Sequence, residues 1–306
     1  MRKSNRIIII IFYLQILLLG TQNHCFSQIT ADITATSNIT LNADQVAALD
    51  ILDHSDTMTL SDYWPNIKPS LFFANIRKNI LFPSKINQGK ATNFCAYASL
   101  THILVLYKPQ LYATEIISLY RNGYTNLYKG SIEPSERVRK VAGMLKHKGE
   151  LDILHADQLW FLSMADKFKG YLNIIDKKYN TGDENAIWAS TNYHKFNKML
   201  RQFGKFELDA AGSDFVRPVA RNFYEFITMQ LQAGVVLLYI NGKYLHPSRY
   251  TAITIRAPSH YIVLYEMYQV GDLVSIKYWD YGLKTEQLIT KKRLKKLVFG
   301  VTLLHN

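Results

Sequence analysis

Cys95, His260 and Asp280 are side chains of the kinds that together carry out nucleophilic acyl transfer. A thiol attacks a carbonyl well only as a thiolate, and the positive end of a helix with a nearby histidine is the common way to generate one. Cys95 is followed by Ala96 to Leu106, a small-and-apolar stretch without Gly or Pro until Pro109. That pattern predicts a buried helix with Cys95 at its N-terminus. The alternative is a cysteine that merely fills a core. In the catalytic case, backbone N–H groups from Phe94 to Ala96 would face a tetrahedral oxyanion. Gln88, seven residues before Cys95, is either a side-chain donor to that same hole or a surface glutamine in the turn Asn87-Gln88-Gly89.

His260 begins the run Tyr261-Ile262-Val263-Leu264-Tyr265, which reads as a strand. A base at a strand's mouth is held rigid yet stays open to substrate. A second strand, Leu273 to Trp279, lies beyond Val270-Gly271-Asp272, and Asp280 closes it. An antiparallel hairpin brings the start of one strand beside the end of the next, so His260 and Asp280 are predicted to be neighbours. A thiol, a base and a group fixing the base's tautomer make up the generalised triad. Trp279 is expected to shield the pair from water. Asp280 as a plain turn residue in Asp280-Tyr281-Gly282 is the competing reading.

The elements that must position these residues form an α+β order. Asn42-Ala43-Asp44-Gln45 introduces a short amphipathic helix through Val46, Leu49 and Leu52, and the proline-bearing stretch from Ser61 to Pro83 reads as an irregular strap. Helices are predicted at Pro134 to His147, Ala156 to Phe168, Tyr193 to Phe203 and Asn222 to Gln232, the last stopped by Gly234. Val235 to Ile240 is a compact buried strand, Gln287 to Leu297 a last helix, and Val298 to Leu304 a final strand. There is no internal repeat and no low-complexity tract.

The 306 residues, 48% hydrophobic and 20% charged, describe a chain that folds, not one that stays disordered. Met1 to Arg6 is a basic start, and the 13 residues Ile7 to Leu19 are apolar, short of the roughly 20 a spanning helix needs. Cys25-Phe26-Ser27 offers a cleavage site before Gln28, so residues 1–27 read as a secretory signal and not as an anchor or lipoprotein motif. Residues 28–83 are then a lead-in and strap, and 84–306 the catalytic domain. Cleavage removes Cys25 and leaves Cys95 as a lone exported thiol, secreted or periplasmic. It also removes three cations from a net charge of +12, leaving +9. That balance suits anionic surroundings such as membrane surfaces, acidic wall polymers or acidic substrates. The dense run Lys291-Lys292-Arg293-Leu294-Lys295-Lys296 lacks interleaved aromatics and reads as a solvated helix face, with no nucleic-acid partner implied.

Four blocks carry a resemblance: Gln88 through Leu100, Ala233 through Leu238, Ser259 through Tyr265, and Tyr278 through Gly282. In their order they resemble the blocks of papain-like cysteine peptidases, most of all the bacteriocin-leader-peptidase-like branch. The resemblance covers roughly Ile86 to Leu304 and implies a papain-like cysteine hydrolase fold, a helical half leading into an antiparallel sheet. It implies Cys95 as nucleophile, His260 as base, Asp280 as its orienting partner and Gln88 in the oxyanion hole. No metal or organic cofactor is implied. The expected activity is hydrolysis of an amide bond in a peptide or cell-wall peptide through a thioester, with membrane contact only through the signal peptide. A transglutaminase-like acyl transferase and a catalytically inactive binding protein of the same fold are the alternatives. Lys108 to Phe223 has no counterpart in the resemblance, and substrate choice is expected to be written there.

Overall fold

Prolines punctuate the N-terminal half without breaking it, because a proline at the first helical position loses no intrahelical hydrogen bond. In a computed structural model of the chain, described for residues 40–56, 58–89, 92–145, 153–168, 178–245 and 258–305, two helices begin this way. The chain divides into Met1–Asn42 and Ala43–Asn306, and the helices and strands named below belong to the second unit. Helix α1 is Ala43–Ser55 and α2 is Pro69–Leu81, with a single 3₁₀ turn after it at Pro83–Lys85. Helix α3 is Cys95–Tyr107, and α4 is Pro109–Asn122, closed by Gly123 in the left-handed conformation. A two-residue ladder joins β1 (Thr125–Asn126) to β2 (Ser131–Ile132). Helices α5 (Glu136–Val141), α6 (His155–Phe168) and α7 (Tyr193–Gly204) complete the helical half.

The remainder is a six-stranded sheet in the order β3-β8-β4-β5-β6-β7, antiparallel throughout. Its strands are β3 (Leu208–Gly212), β4 (Gly234–Ile240), β5 (His260–Val270), β6 (Leu273–Asp280), β7 (Leu283–Thr290) and β8 (Val298–His305). Helices α8 (Phe223–Ala233) and α9 (Lys291–Leu297) lie between strands. Strand side chains alternate between faces, which gives the sheet two apolar surfaces. Leu237, Tyr239, Tyr261 and Val263 join the core of the helical half, and Val236, Leu238, Ile262 and Leu264 pack with Phe223, Ile227, Leu294 and Leu297. Helix α3 is buried on every side from Cys95 to Val105, as a central helix is, with Ser99, Thr101 and His102 among its largely apolar residues.

The α+β order is as the sequence predicts, but several elements differ. The expected strap contains α2, whose Phe72, Phe73, Ile76 and Ile80 share a core with α3. Pro69 opens that helix and Pro83 lies beyond its end, so neither breaks it. Helix α4 is not among the predicted elements, although Pro109 marks its first position. The last predicted helix starts later. Gln287 to Thr290 belong to β7, and Thr290 caps α9 by accepting from the Arg293 N–H at 3.1 Å. Strand β3 has no β-branched residue to announce it. Helix α5 is shorter than predicted. His147, the signal segment and most of the lead-in lie outside the described residues.

Candidate active site

Cys95 is the first residue of α3, with Phe94 as its N-cap. The first bond of the helix runs from the Ala98 N–H to the Phe94 carbonyl at 2.9 Å, so the N–H groups of Cys95, Ala96 and Tyr97 have no intrahelical acceptor. They and the helix dipole put partial positive charge at the thiol. The helix then runs along β5. Cys95 Sγ lies 4.0 Å from the Ser259 carbonyl, Ser99 Oγ donates to the Tyr261 carbonyl at 3.4 Å, and His102 Nε2 meets the Tyr265 hydroxyl at 2.6 Å. Burial pushes the Tyr97 and Tyr261 phenols above their ordinary range.

His260 Nε2 and Asp280 Oδ1 are 2.6 Å apart, and both residues are buried. A carboxylate accepts, so Nε2 carries the hydrogen and Nδ1 is the nitrogen through which a thiol proton would move. The pair depends on an irregularity in the ladder. At the hairpin end Val270 faces Leu273 and Gln269 faces Val274. That register, continued to the far end, would put His260 and Asp280 on opposite faces. Between Leu264 and Glu266 it shifts by one, with Tyr265 as the extra residue. Beyond the shift Leu264 faces Tyr278 and Val263 faces Trp279. Continuing this shifted register sets Asp280 across from Ile262, diagonal to His260 and on the same face, within side-chain reach.

Asp280 leads into a two-residue turn whose central residues, Tyr281 (φ 48°) and Gly282 (φ 75°), both have the positive φ of a type I′ hairpin. A tyrosine in that conformation is uncommon. Its ring stacks on the His260 imidazole, with centroids 4.8 Å apart and planes 14° from parallel. The segment before Cys95 lies against this turn. Asn87 Nδ2 donates to the Tyr281 carbonyl at 3.3 Å, and a Cβ on Gly282 would come within 3.2 Å of the Ile86 carbonyl. Gln88 is 3% exposed, so it is not a surface turn residue, and its side chain hydrogen-bonds no other described residue.

Aromatic and imidazole rings outside the predicted triad brace this arrangement. His102 donates from Nδ1 to the Pro83 carbonyl at 2.9 Å and accepts from Tyr265 at Nε2, which makes it the neutral Nδ1–H tautomer. Burial lowers its pKa to about 4. It thus joins the helix of Cys95, the segment before it and the bulge. Trp279, expected over the His–Asp pair, faces the other way by strand alternation, stacks on His102 at 4.5 Å and donates to the Ser84 carbonyl at 3.1 Å. Tyr281 occupies the place expected of it. Neither His102 nor Tyr281 is singled out by sequence pattern, since a histidine in an apolar helix and a tyrosine in a turn each have ordinary explanations.

The structure thus joins His260 to Asp280 directly, sets Cys95 beside the residue preceding His260, and holds the Gln88 segment against the Asp280 turn. Among the described residues, the hydrogen-bond partner of Cys95 Sγ is the Ser259 carbonyl and not the imidazole. Helix α3 lies over the face of Tyr261 and Val263, whereas His260 and Asp280 alternate with those residues, and Cys95 lies beside Ser259 at the margin of the sheet. Compared with protein-family models and with curated protein sequences, the chain matches none.

Proposed function

We propose that this chain is an exported thiol hydrolase of papain-like fold that cleaves an amide bond through a thioester. The supporting observation is the buried 2.6 Å His260–Asp280 pair at the first residue of β5, the strand along which the thiol-bearing end of α3 lies. In this reading Nδ1 of His260 takes the thiol proton as Sγ bonds to the scissile carbonyl carbon. The oxyanion is held by the Cys95 N–H and the side-chain amide of Gln88. Collapse breaks the C–N bond, and the imidazolium returns its proton to the departing amine. Water, deprotonated by His260, then attacks the thioester, releasing the acid and the thiol. The thiol and imidazole close to hydrogen-bonding distance when substrate fills the site, since catalytic contacts are often long in its absence. A peptide or a cell-wall peptide is the substrate class, the latter favoured by the chain's positive charge.

An inactive binding protein of the same fold is the second reading, favoured by the burial of the thiol and by its contact with a carbonyl instead of the base. A transglutaminase-like transferase would differ only in using an amine in place of water. Iodoacetamide alkylation of Cys95 at neutral pH, measured beside His260→Ala, separates the first two readings without a substrate. Alkylation that slows at least tenfold in the variant supports the thiol–imidazole pair, by the order of magnitude general-base assistance supplies. Equal rates in both proteins, or reaction only after unfolding, would leave Cys95 a core residue.

A further inference from the structure

We infer that the loop between β3 and α8, with the basic helix α9 beside it, docks this protein on an anionic lipid surface. Phe215, Val216 and Val219 are 83%, 63% and 96% exposed, three apolar side chains within five residues left bare in water. Monomeric proteins seldom leave apolar side chains grouped so tightly without a use for them. The loop that carries them is held firmly at its base. The Ser213 N–H donates to the carbonyls of Val216 and Phe299, and Arg217 lies 3.9 Å over the Phe299 ring while donating to the Lys296 carbonyl at 3.1 Å. That last bond ties the apolar loop to the end of α9.

Lys291, Lys292, Lys295 and Lys296 are exposed on α9, while Leu294 and Leu297 anchor it in the core. Of the acidic residues near the loop, Asp214 accepts from the Tyr239 hydroxyl at 3.1 Å and the Tyr193 N–H at 3.2 Å, which turns its carboxylate toward β4 and α7. Glu225 belongs to the first turn of α8. Apolar tips beside a lysine cluster match a bilayer interface, where acyl chains receive the tips and anionic headgroups the ammonium groups. A soluble acidic polymer would satisfy the lysines but offer nothing to Phe215 and Val219.

The register also fixes where this surface lies. Gly212 pairs with Gly300, and Ile240 pairs with both Val298 and His260. The loop and the end of α9 therefore leave the same margin of the sheet at which His260 sits, the loop three strands or about 15 Å across from it and the helix end two strands or about 10 Å. The docking inference does not depend on chemistry at Cys95.

The test uses the full chain carrying Phe215→Trp. The four native tryptophans are all buried, so the new indole is the one exposed reporter. Its emission is expected to shift to the blue, and its quenching by acrylamide to fall, with vesicles of phosphatidylglycerol and phosphatidylcholine but not with phosphatidylcholine alone. Lys295→Ala and Lys296→Ala should each lower partitioning about fivefold, and salt should lower it further. Sedimentation with vesicles while the indole stays unshifted would assign binding to another segment, such as the apolar N-terminus, and overturn the inference. So would binding to polyglutamate as tight as to vesicles and unchanged by Phe215→Ser with Val219→Ser.

Discussion

Asp157 is a buried carboxylate with no ion pair among the described residues, and replacing it with asparagine should tilt the stability of the whole fold against pH. It belongs to α6 and accepts from Asn79 Nδ2 at 2.8 Å and Asn75 Nδ2 at 3.1 Å, while its own N–H donates to Asn75 Oδ1 at 3.0 Å. Those bonds tie α6 to α2. Burial outweighs them and raises its pKa from 3.8 to about 6. Between those values the folded chain keeps a proton that the unfolded chain has lost, so Asp157 makes stability fall as pH rises. At about 1.4 kcal/mol per unit, about two units amount to about 3 kcal/mol. His102 has the opposite sign. Burial lowers it from 6.5 to about 4, so it makes stability rise by about 3 kcal/mol as pH rises through that window. In the native chain the two slopes nearly cancel. Asp157→Asn removes one of them. It should cost roughly 1 kcal/mol near pH 4, where one hydrogen bond is made less well, and stabilise by roughly 2 kcal/mol above about pH 6. Urea midpoints at constant m would show the change, as would melting temperatures that gain on the native chain by roughly 6 to 12 °C across the window. A stability difference between variant and native chain that stays constant with pH would refute the reasoning.

Removing one partner of the buried His260–Asp280 pair leaves an uncompensated polar group, so Asp280→Ala should cost about 3 to 5 kcal/mol in urea unfolding, and Asp280→Asn clearly less. Gly282→Ala places a side chain at φ 75° and against the Ile86 carbonyl, for an expected loss of about 1 to 2 kcal/mol, read from the same curves. His102→Phe keeps the stack on Trp279 but strands the Tyr265 hydroxyl, with a cost of about 1 to 3 kcal/mol. That variant should also abolish the stability rise between about pH 4 and 6.5 that His102 supplies.

Much of the fold is legible because its periods are clean. The breaker-free run after Cys95 becomes the central helix, and Val235 to Ile240 becomes β4. The departures occur where a residue's meaning depends on position. Pro69 and Pro109 open helices, although prolines in sequence suggest irregular chain, and only the residues after a proline show whether it stands at a first helical position. Strand β3, Leu-Asp-Ala-Ala-Gly, has almost no strand propensity of its own. It exists because the margin of β8 offers a ladder from Gly300 to Leu304 to pair with.

The site is legible to the level of topology and no further. Its hairpin could be drawn from Gly271-Asp272 and two apolar runs, and that suffices to bring the two ends together. It does not decide which faces they occupy, and the unbroken register would have separated His260 from Asp280. The pairing depends on one extra residue, Tyr265, whose hydroxyl is held by His102 from the helix that carries Cys95. Nothing in Leu264-Tyr265-Glu266 announces a bulge, because its position is set by a partner far away in sequence. The same holds for Tyr281, which reads as an ordinary turn residue until its ring is seen against the imidazole. A bulge fastened to the helix that carries Cys95 couples the face on which His260 stands to the position of that helix. The neutral, buried His102 makes that connection through both ring nitrogens, Nδ1 to the Pro83 carbonyl and Nε2 to the Tyr265 hydroxyl, which a leucine in its place could not do.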